Sequence, residues 1–511
     1  MSTSNLRTFI HRLSLPILLF IVILSRLPFQ SQEPFGWDSC NYILAIESYR
    51  PLEDMPHFPG YFYPVMAVKA LNIFVNNPHK SLLLYTLLMS VIVVLLLYYF
   101  ARSKIAPLLG LGHGDASNFA FAAALLTTFN PFTWFFGEIS LLYINGAAAG
   151  IVAVWAILSE KRTMWKWVFS AGLIAFLSGI RLEAVFLIFL WFREAIRHRL
   201  PIRFWLFSVI AAVAGISLWI VPTAILAGSW EIWLERGFYT LSEIRQKVIN
   251  EQGGTVLFLL KSLLRMFYWI VLATGAGILL IVFRSGTTIV TLKTLPARFK
   301  QIILWWVVPV IVIVLAGHPR AGYLMIIQPA LSLVIAAILI KAQSGLLSVR
   351  KGLPVIIVLS ILYFIVPVVA GNNLLQRIPY TASRIQQNDN HLFSIRQQVQ
   401  EHISNFTTAL IFYDGTTYLW RAAMLDFPEI PVYQVWSVGE KRAVVLGVNR
   451  KERDLVPINA QEGLVSFQEN IEQLIIFGEC KLSQFQEDFP GFVKKAEFLT
   501  EYGSYFTAGK R

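Results

Sequence analysis

Charge is scarce in this chain. Only 14% of its 511 residues are Asp, Glu, Lys or Arg, against about 25% in a soluble globular protein, which excludes a single soluble enzyme. Cysteine is scarcer still. Cys40 and Cys480 stand far apart in sequence, so neither a disulfide framework nor a cysteine-rich metal site is available. Internal repeats and low-complexity runs are missing as well, which removes collagen-like and disordered classes and the repeat signature of many transporters. What fills the composition instead is apolar: 56% hydrophobic residues and a mean hydropathy of +0.60. The chain reads as a polytopic α-helical membrane protein.

Apolar runs long enough to span a bilayer lie near 13–29, 81–101, 117–136, 139–159, 204–227, 256–283, 302–317, 321–341 and 353–371. The stretch 166–193 is too long for one span and is broken at Arg181-Leu182-Glu183, so it predicts two short helices meeting at a charged turn. About eleven membrane helices are expected. The first run lacks a small-residue cleavage site after Ser25-Arg26-Leu27-Pro28 and is expected to persist as an uncleaved helix.

The net charge of +13 would suggest nucleic acid if it formed one patch. With the N-terminus inside, the inner loops instead collect 18 bases against Asp115, Glu160 and Glu194, while the outer loops hold 8 bases and 11 acids and the tail 14 and 16. The excess is therefore the positive-inside bias, and no nucleic-acid partner is expected. An odd number of spans places the tail on the outer face. The expected organisation is a membrane domain over 1–371 and an extracytoplasmic α/β domain over 372–511. The expected location is a bacterial plasma (inner) membrane, although Asn405-Phe406-Thr407 would be a glycosylation site in a eukaryotic lumen.

The first outer loop, 30–80, is rich in Trp, Tyr, Pro and acids. Its apolar part, 61–76, is too short and too Pro-marked to span and reads as an interfacial helix. In the tail, Ala409-Leu410-Ile411-Phe412-Tyr413 and Leu474-Ile475-Ile476-Phe477 read as buried strands separated by helix-like polar stretches.

Four charged features fall on the outer face. Asp38, just after the first helix, puts a carboxylate where lipid-borne and water-borne substrates meet, suited to a general base; it reads equally well as a cap on a helix starting near Ser39. Glu138 occupies the outer turn between the third and fourth helices, as a functional acid or a solvated turn residue. Arg181 and Glu183 interrupt an apolar stretch, as the lining of a cavity or as a salt bridge with no further role. His318-Pro319-Arg320 can hold a phosphate or anchor lipid headgroups.

The first helix, the outer loop with Asp38, the turn His57-Phe58-Pro59-Gly60-Tyr61 and a surface helix together resemble the GT-C fold of membrane glycosyltransferases, in the protein-O-mannosyltransferase-like and lipid A aminoarabinose-transferase-like branches. The turn is similar to an "HPPGY"-like stretch, with Phe58 in place of the first proline. Gly179-Ile180-Arg181-Leu182-Glu183 resembles a "G-x-R-x-E/P" break. His318-Pro319-Arg320-Ala321-Gly322-Tyr323-Leu324 resembles a "PRYLLP"-like helix start with two residues inserted. The resemblance covers about residues 10–371 and carries nothing functional to the tail.

That resemblance implies an inverting transfer of a sugar from a polyprenyl-phosphate carrier to an acceptor lipid, glycan or protein at the outer face. Asp38 is then the base, His57, Glu138, Arg181, Glu183, His318 and Arg320 bind substrate, and preorganised cations offset the charge of the leaving phosphate. Family members differ in their use of a divalent cation. Asp38, Glu138 and His57 offer an incomplete oxygen-rich set, and no ligand spacing compels a metal. A polysaccharide polymerase or ligase, a lipid or glycolipid transporter and a non-catalytic assembly protein are the competing classes.

Overall fold

The computed structural model describes residues 3–158, 164–251, 253–316, 320–342, 348–369, 378–403, 407–413, 417–438, 441–452, 456–458, 471–478, 492–500 and 503–510. His318, Asn405 and Cys480 lie outside the described residues. The chain divides into two compact units. One joins Met1–Gln30 to Arg50–Ile385 and the other joins Ser31–Tyr49 to Gln386–Arg511.

The first unit is helical. Among the described residues, five helices are long and apolar enough to cross a membrane, or seven if each of two bent pairs counts as one span. Five shorter apolar helices accompany them, Ser14–Phe29, Phe62–Val75, Ile144–Ile157, Trp165–Leu177 and Gln328–Ala342. In hydrocarbon no water is available to satisfy broken helix ends, so each break needs a partner within the protein. Asn130-Pro131 shows how. Proline suits the first turn of a helix because its missing N–H has no partner there in any case. The Asn130 Oδ1 accepts from the N–H groups of Phe132 (3.0 Å) and Thr133 (3.4 Å) at the start of Pro131–Glu138. Its Nδ2 donates to the Ala273 carbonyl (2.7 Å) at the end of Thr255–Thr274. One side chain thus serves two helix ends, and the span His113–Glu138 bends by 56° at that point.

Small residues let the helices approach. A Cβ on Gly215 would run into the Gly172 carbonyl, so Trp165–Leu177 and Ile202–Ala227 are in backbone contact. A Cβ on Gly150 would stand 2.5 Å from the Ile326 carbonyl. Such close approach is how membrane helices gain packing energy without a hydrophobic driving force.

The charged turn expected inside 166–193 is present as the short 3-10 helix Leu182–Leu187 between Trp165–Leu177 and Ile188–Arg197. Three stretches differ from expectation. The run 256–283 is broken after Thr274 at Gly275, whose φ of +70° an L side chain would resist. The run 321–341 opens as a 3-10 helix, Ala321–Ile326, before Gln328–Ala342. The stretch 228–255, between two of the apolar runs, is largely one helix, Trp230–Glu251. Hydropathy averages over a window, so it registers neither a single left-handed residue nor a polar helix.

The second unit carries an eight-stranded sheet. Its strands are β1 (Thr408–Phe412), β2 (Val432–Val438), β3 (Lys441–Val448), β4 (Lys451–Glu452), β5 (Val456–Ile458), β6 (Gln473–Phe477), β7 (Phe492–Thr500) and β8 (Gly503–Lys510). Their order is β4-β3-β2-β1-β6-β8-β7, with β5 on β3. β1 is parallel to both β2 and β6, and the remaining pairs are antiparallel. Every residue of β1 is buried, as a central parallel strand covered on both faces requires. The helix Thr417–Asp426 makes the crossover from β1 to β2. The expected α/β tail is therefore present, with β1 and β6 where the two apolar runs lie.

The backbone contact between Gly172 and Gly215 supplies a test. Gly215→Val should lower the unfolding midpoint in detergent, by about 1–3 kcal/mol of overpacking. Gly286→Ala, where nothing lies within 4 Å of the added carbon, should not. Equal midpoints for both variants would show that the two helices are not in contact there.

Candidate functional site

In the helical unit several of the charged motifs marked in the sequence converge on one guanidinium. Arg181 follows Trp165–Leu177 in an extended conformation and precedes Leu182–Leu187. It is 2% exposed, and a bare charge there would cost several kcal/mol of desolvation. Glu183, two residues on, grips it with two hydrogen bonds, Nε to Oε2 at 3.1 Å and Nη2 to Oε1 at 2.6 Å. The faces of the guanidinium are taken by aromatic rings, with Tyr143 at 4.5 Å, Tyr61 at 5.2 Å and Tyr323 at 5.8 Å from ring centroid to Cζ. Cation–π attraction strengthens where water is excluded.

Those three tyrosines come from three separate segments. Tyr61 ends the turn begun by His57, whose carbonyl accepts from Gly60 N–H at 2.9 Å and whose ring meets Tyr61 edge-on at 5.5 Å. Tyr143 lies at the start of Ile144–Ile157. Tyr323 lies in Ala321–Ile326, where Gly322 leaves room for the Tyr143 ring. His57, Arg181 and Glu183 are therefore brought together. Arg320, exposed, stands at the start of Ala321–Ile326, three residues before Tyr323 and without a side-chain cap. Neither Tyr143 nor Tyr323 was singled out from sequence. Tyr323 stood inside the late-helix motif, whereas nothing marked Tyr143.

Glu138 ends Pro131–Glu138 and is fully buried, so the solvated-turn alternative does not hold. Among the described residues neither of its carboxylate oxygens makes a hydrogen bond of full geometry, and Trp134 is the side chain beside it. Its electrostatic partner is Arg26, also fully buried, at the end of the first helix. Arg26 donates to the Thr128 carbonyl at 2.6 Å and lies 5.4 Å from the Trp134 ring. The Trp134 indole N–H donates to the Ser25 carbonyl at 3.1 Å. Arg26 counted in the sequence only as one charge within an apolar run.

Asp38 belongs to the other unit. It sits in the first turn of Gly36–Glu47, where its charge favours the helix dipole. The cap position is Phe35, which makes no side-chain cap, so Asp38 does not serve as the cap. The segment carrying it is held by the tail. Asp389 accepts from Ser31 Oγ (2.9 Å), Gln32 N–H (2.9 Å) and Glu33 N–H (3.1 Å). Arg396 bridges Glu33 and Asp426, the latter at 3.0 Å. Trp37 stacks on Trp420 at 6.1 Å, with the Arg421 guanidinium over both rings. Arg450 pairs with Glu47. Cys40 is buried against Leu392 and Ala422, and burial pushes its thiol well above the usual range. These tail residues carried no signal in sequence, because each acts through a partner more than 350 positions away.

Burial raises the carboxyl groups of Glu33, Asp389 and Asp426 above their ordinary values, against the opposing pull of Arg396 on Glu33 and Asp426 and of backbone N–H groups on Asp389. Among the described residues, no three His, Cys, Asp or Glu side chains come together as a metal-ligand set.

Two expectations follow. A carboxyl group that binds its proton more tightly when folded stabilises the fold fully below its unfolded pKa, and that contribution is lost as pH rises through the raised folded value. Amide exchange in Ser31–Phe35, corrected for intrinsic rates, should therefore show greater protection just above the ordinary carboxylate range than at neutral pH. Flat or inverted protection would refute the raised values. Separately, Glu183→Gln leaves the Arg181 charge unmatched and should cost about 3–5 kcal/mol, more than the paired change Arg181→Met/Glu183→Leu. Detergent unfolding midpoints in the reverse order would mean the pair is not buried.

No family model and no curated protein matches the chain in sequence. In structure it is similar to ArnT from Cupriavidus metallidurans bound to undecaprenyl phosphate, at 10% identity and a TM-score of 0.53, over 99% of this chain and 98% of that one. An Archaeoglobus fulgidus oligosaccharyltransferase tethered to an acceptor peptide aligns at 13% identity and a TM-score of 0.40, over 81% of this chain and 63% of that one, and this weaker likeness carries no argument. The match to ArnT spans both the helical unit and the sheet-bearing tail, and the chain is accordingly a polytopic membrane protein of GT-C fold.

Proposed function

We propose that this protein is a glycosyltransferase that moves a sugar from a polyprenyl-phosphate carrier to an acceptor hydroxyl. The observation that carries the reading is the end-to-end fold likeness to ArnT, a structure bound to undecaprenyl phosphate. The distribution of basic residues supports a multi-pass protein of the plasma membrane, with its N-terminus cytoplasmic and its tail extracytoplasmic.

In this reading the reaction is a single displacement. The Asp38 carboxylate takes the proton of the acceptor hydroxyl as that oxygen attacks the anomeric carbon. The bond from that carbon to the phosphate oxygen breaks, and the polyprenyl phosphate departs with one more negative charge. The sugar is inverted at the anomeric carbon. Because the Arg181 fork is occupied by Glu183, the cation assigned to the departing phosphate is Arg320, with His318 of the same segment beside it in sequence. Arg181 is assigned a positioning role, holding the His57–Tyr61 turn against Tyr143 and Tyr323. The tail is assigned the task of fixing the helix that bears Asp38.

The test uses purified protein in nanodiscs and a panel of polyprenyl-phosphate sugars with candidate acceptors, following release of polyprenyl phosphate. A positioned general base contributes about 10²–10⁴ in rate. Asp38→Asn, close in shape and unable to take the proton, should lose turnover by about that factor while binding donor as the wild type does. Wild-type turnover in the variant would remove Asp38 as the base. Failure of the wild-type protein to bind any donor on the panel would remove the transferase reading itself.

A further inference from the structure

The His57–Tyr61 turn is gripped at a second point besides Arg181. Phe58, half-buried, stands where the motif it resembles carries a proline. Its ring lies 5.1 Å from the Trp233 ring and 6.4 Å from the Phe238 ring, both on Trp230–Glu251. Between those two residues comes Gly237, which is buried. A Cβ on Gly237 would run into the Phe58 ring, 2.6 Å from Cε2 and 2.7 Å from Cγ, so the ring edge rests directly on the helix backbone. Trp233, 2% exposed, precedes Gly237 by one helical turn and so lies on the same face. Glycine weakens a helix interior, and here its use is to leave a notch that the phenyl ring fills.

The turn held in this way has a conformation that needs holding. Tyr61 has a φ of +44°, in the left-handed region that a bulky side chain resists. Residues in that state persist where their surroundings over-determine them, and they cluster at ligand clamps. Three contacts do so here. Phe58 fills the notch, the Tyr61 ring lies 5.2 Å from the Arg181 guanidinium, and the Tyr61 carbonyl accepts from Val65 N–H at 3.1 Å at the start of Phe62–Val75. Arg181 in turn meets the Tyr323 ring at 5.8 Å. The Tyr323 N–H donates to the carbonyl of Arg320 at 3.2 Å, the residue assigned to the departing phosphate. Notch, turn and phosphate segment are thus in continuous contact.

We propose that Phe58 and Gly237 are positioning residues for the polyprenyl-phosphate donor. The ring in its notch fixes the turn, and the turn sets where His57 and the Arg181–Tyr323 contact stand relative to the donor phosphate. Neither Phe58 nor Gly237 is assigned a contact with substrate. This rests on the transferase reading and deepens it, giving Trp230–Glu251 a task in donor binding.

The experiment measures donor Kd, kcat and the KM of donor and acceptor for the full-length protein in nanodiscs, in Gly237→Leu, Phe58→Ala and Phe58→Ala/Gly237→Leu. Gly237→Leu expels the ring, and a displacement of about 1 Å at a positioning group costs up to about a hundredfold. That variant should therefore lower kcat/KM for donor by about ten- to a hundredfold, through a weaker donor Kd, and leave acceptor KM unchanged. Phe58→Ala should lose a similar factor. Two residues that act through one contact are coupled, so the double variant should be no worse than Phe58→Ala. Losses that multiply would overturn the notch. Equal damage to donor and acceptor KM, or an unchanged donor Kd in both single variants, would overturn the positioning role. Wild-type protein that binds no donor would instead remove the transferase reading. Amide exchange across Gly60–Val65 then decides the notch alone, with faster exchange in Gly237→Leu supporting it and equal exchange overturning it. Should Gly237→Leu fail to fold, Phe58→Ala carries the test, with Phe58→Leu expected to recover part of the donor affinity and no recovery counting against the notch.

Discussion

A charge inside a membrane protein survives only if the protein itself replaces the water it has lost, and much of this structure follows from that constraint. Arg181 satisfies it through Glu183 on its edge and three tyrosines on its faces. Because those rings come from the turn after the first outer helix, the start of the fourth apolar segment and the start of a late helix, neutralising one guanidinium also fixes where three remote segments meet. The break in the apolar stretch is thus a point at which several segments of the helical unit meet. Elsewhere in the same unit Asn130 meets the equivalent need for the backbone, serving two helix ends with one amide.

The second unit applies a related logic to its own charged groups. The helix that carries Asp38 buries Cys40, Tyr42, Ile43, Leu44, Ala45 and Ile46, so its position depends on what packs around it. Asp389, Arg396, Trp420, Arg421 and Arg450 hold it through hydrogen bonds, ion pairs and ring stacking. A tail with no recognisable catalytic cluster thereby acquires a purpose in the transfer reading, since a base is useful only if its position is held to within a fraction of an ångström.

Much of the fold was legible in the sequence. The apolar runs located the membrane helices, the charged interruption located the paired short helices, and two short apolar runs located β1 and β6. These features are set by local composition, which hydrophobic burial reads almost directly. Arg181 and Glu183 were also legible as a pair, being two residues apart. Glu138 was visible as an acid at a turn, but whether that turn was wet or dry depends on what covers it, and its electrostatic partner Arg26 comes from more than a hundred positions away.

Composition and periodicity alone determined that this chain spans a membrane many times and that a small mixed domain follows. Each of these rests on the free energy of moving a side chain between water and hydrocarbon, a property of residues taken singly or in short runs. Only the tertiary structure decided which tyrosines enclose Arg181 and which tail residues hold the Asp38 helix. Those groupings depend on where distant segments pack, and no local preference in a chain encodes the identity of a neighbour hundreds of residues away.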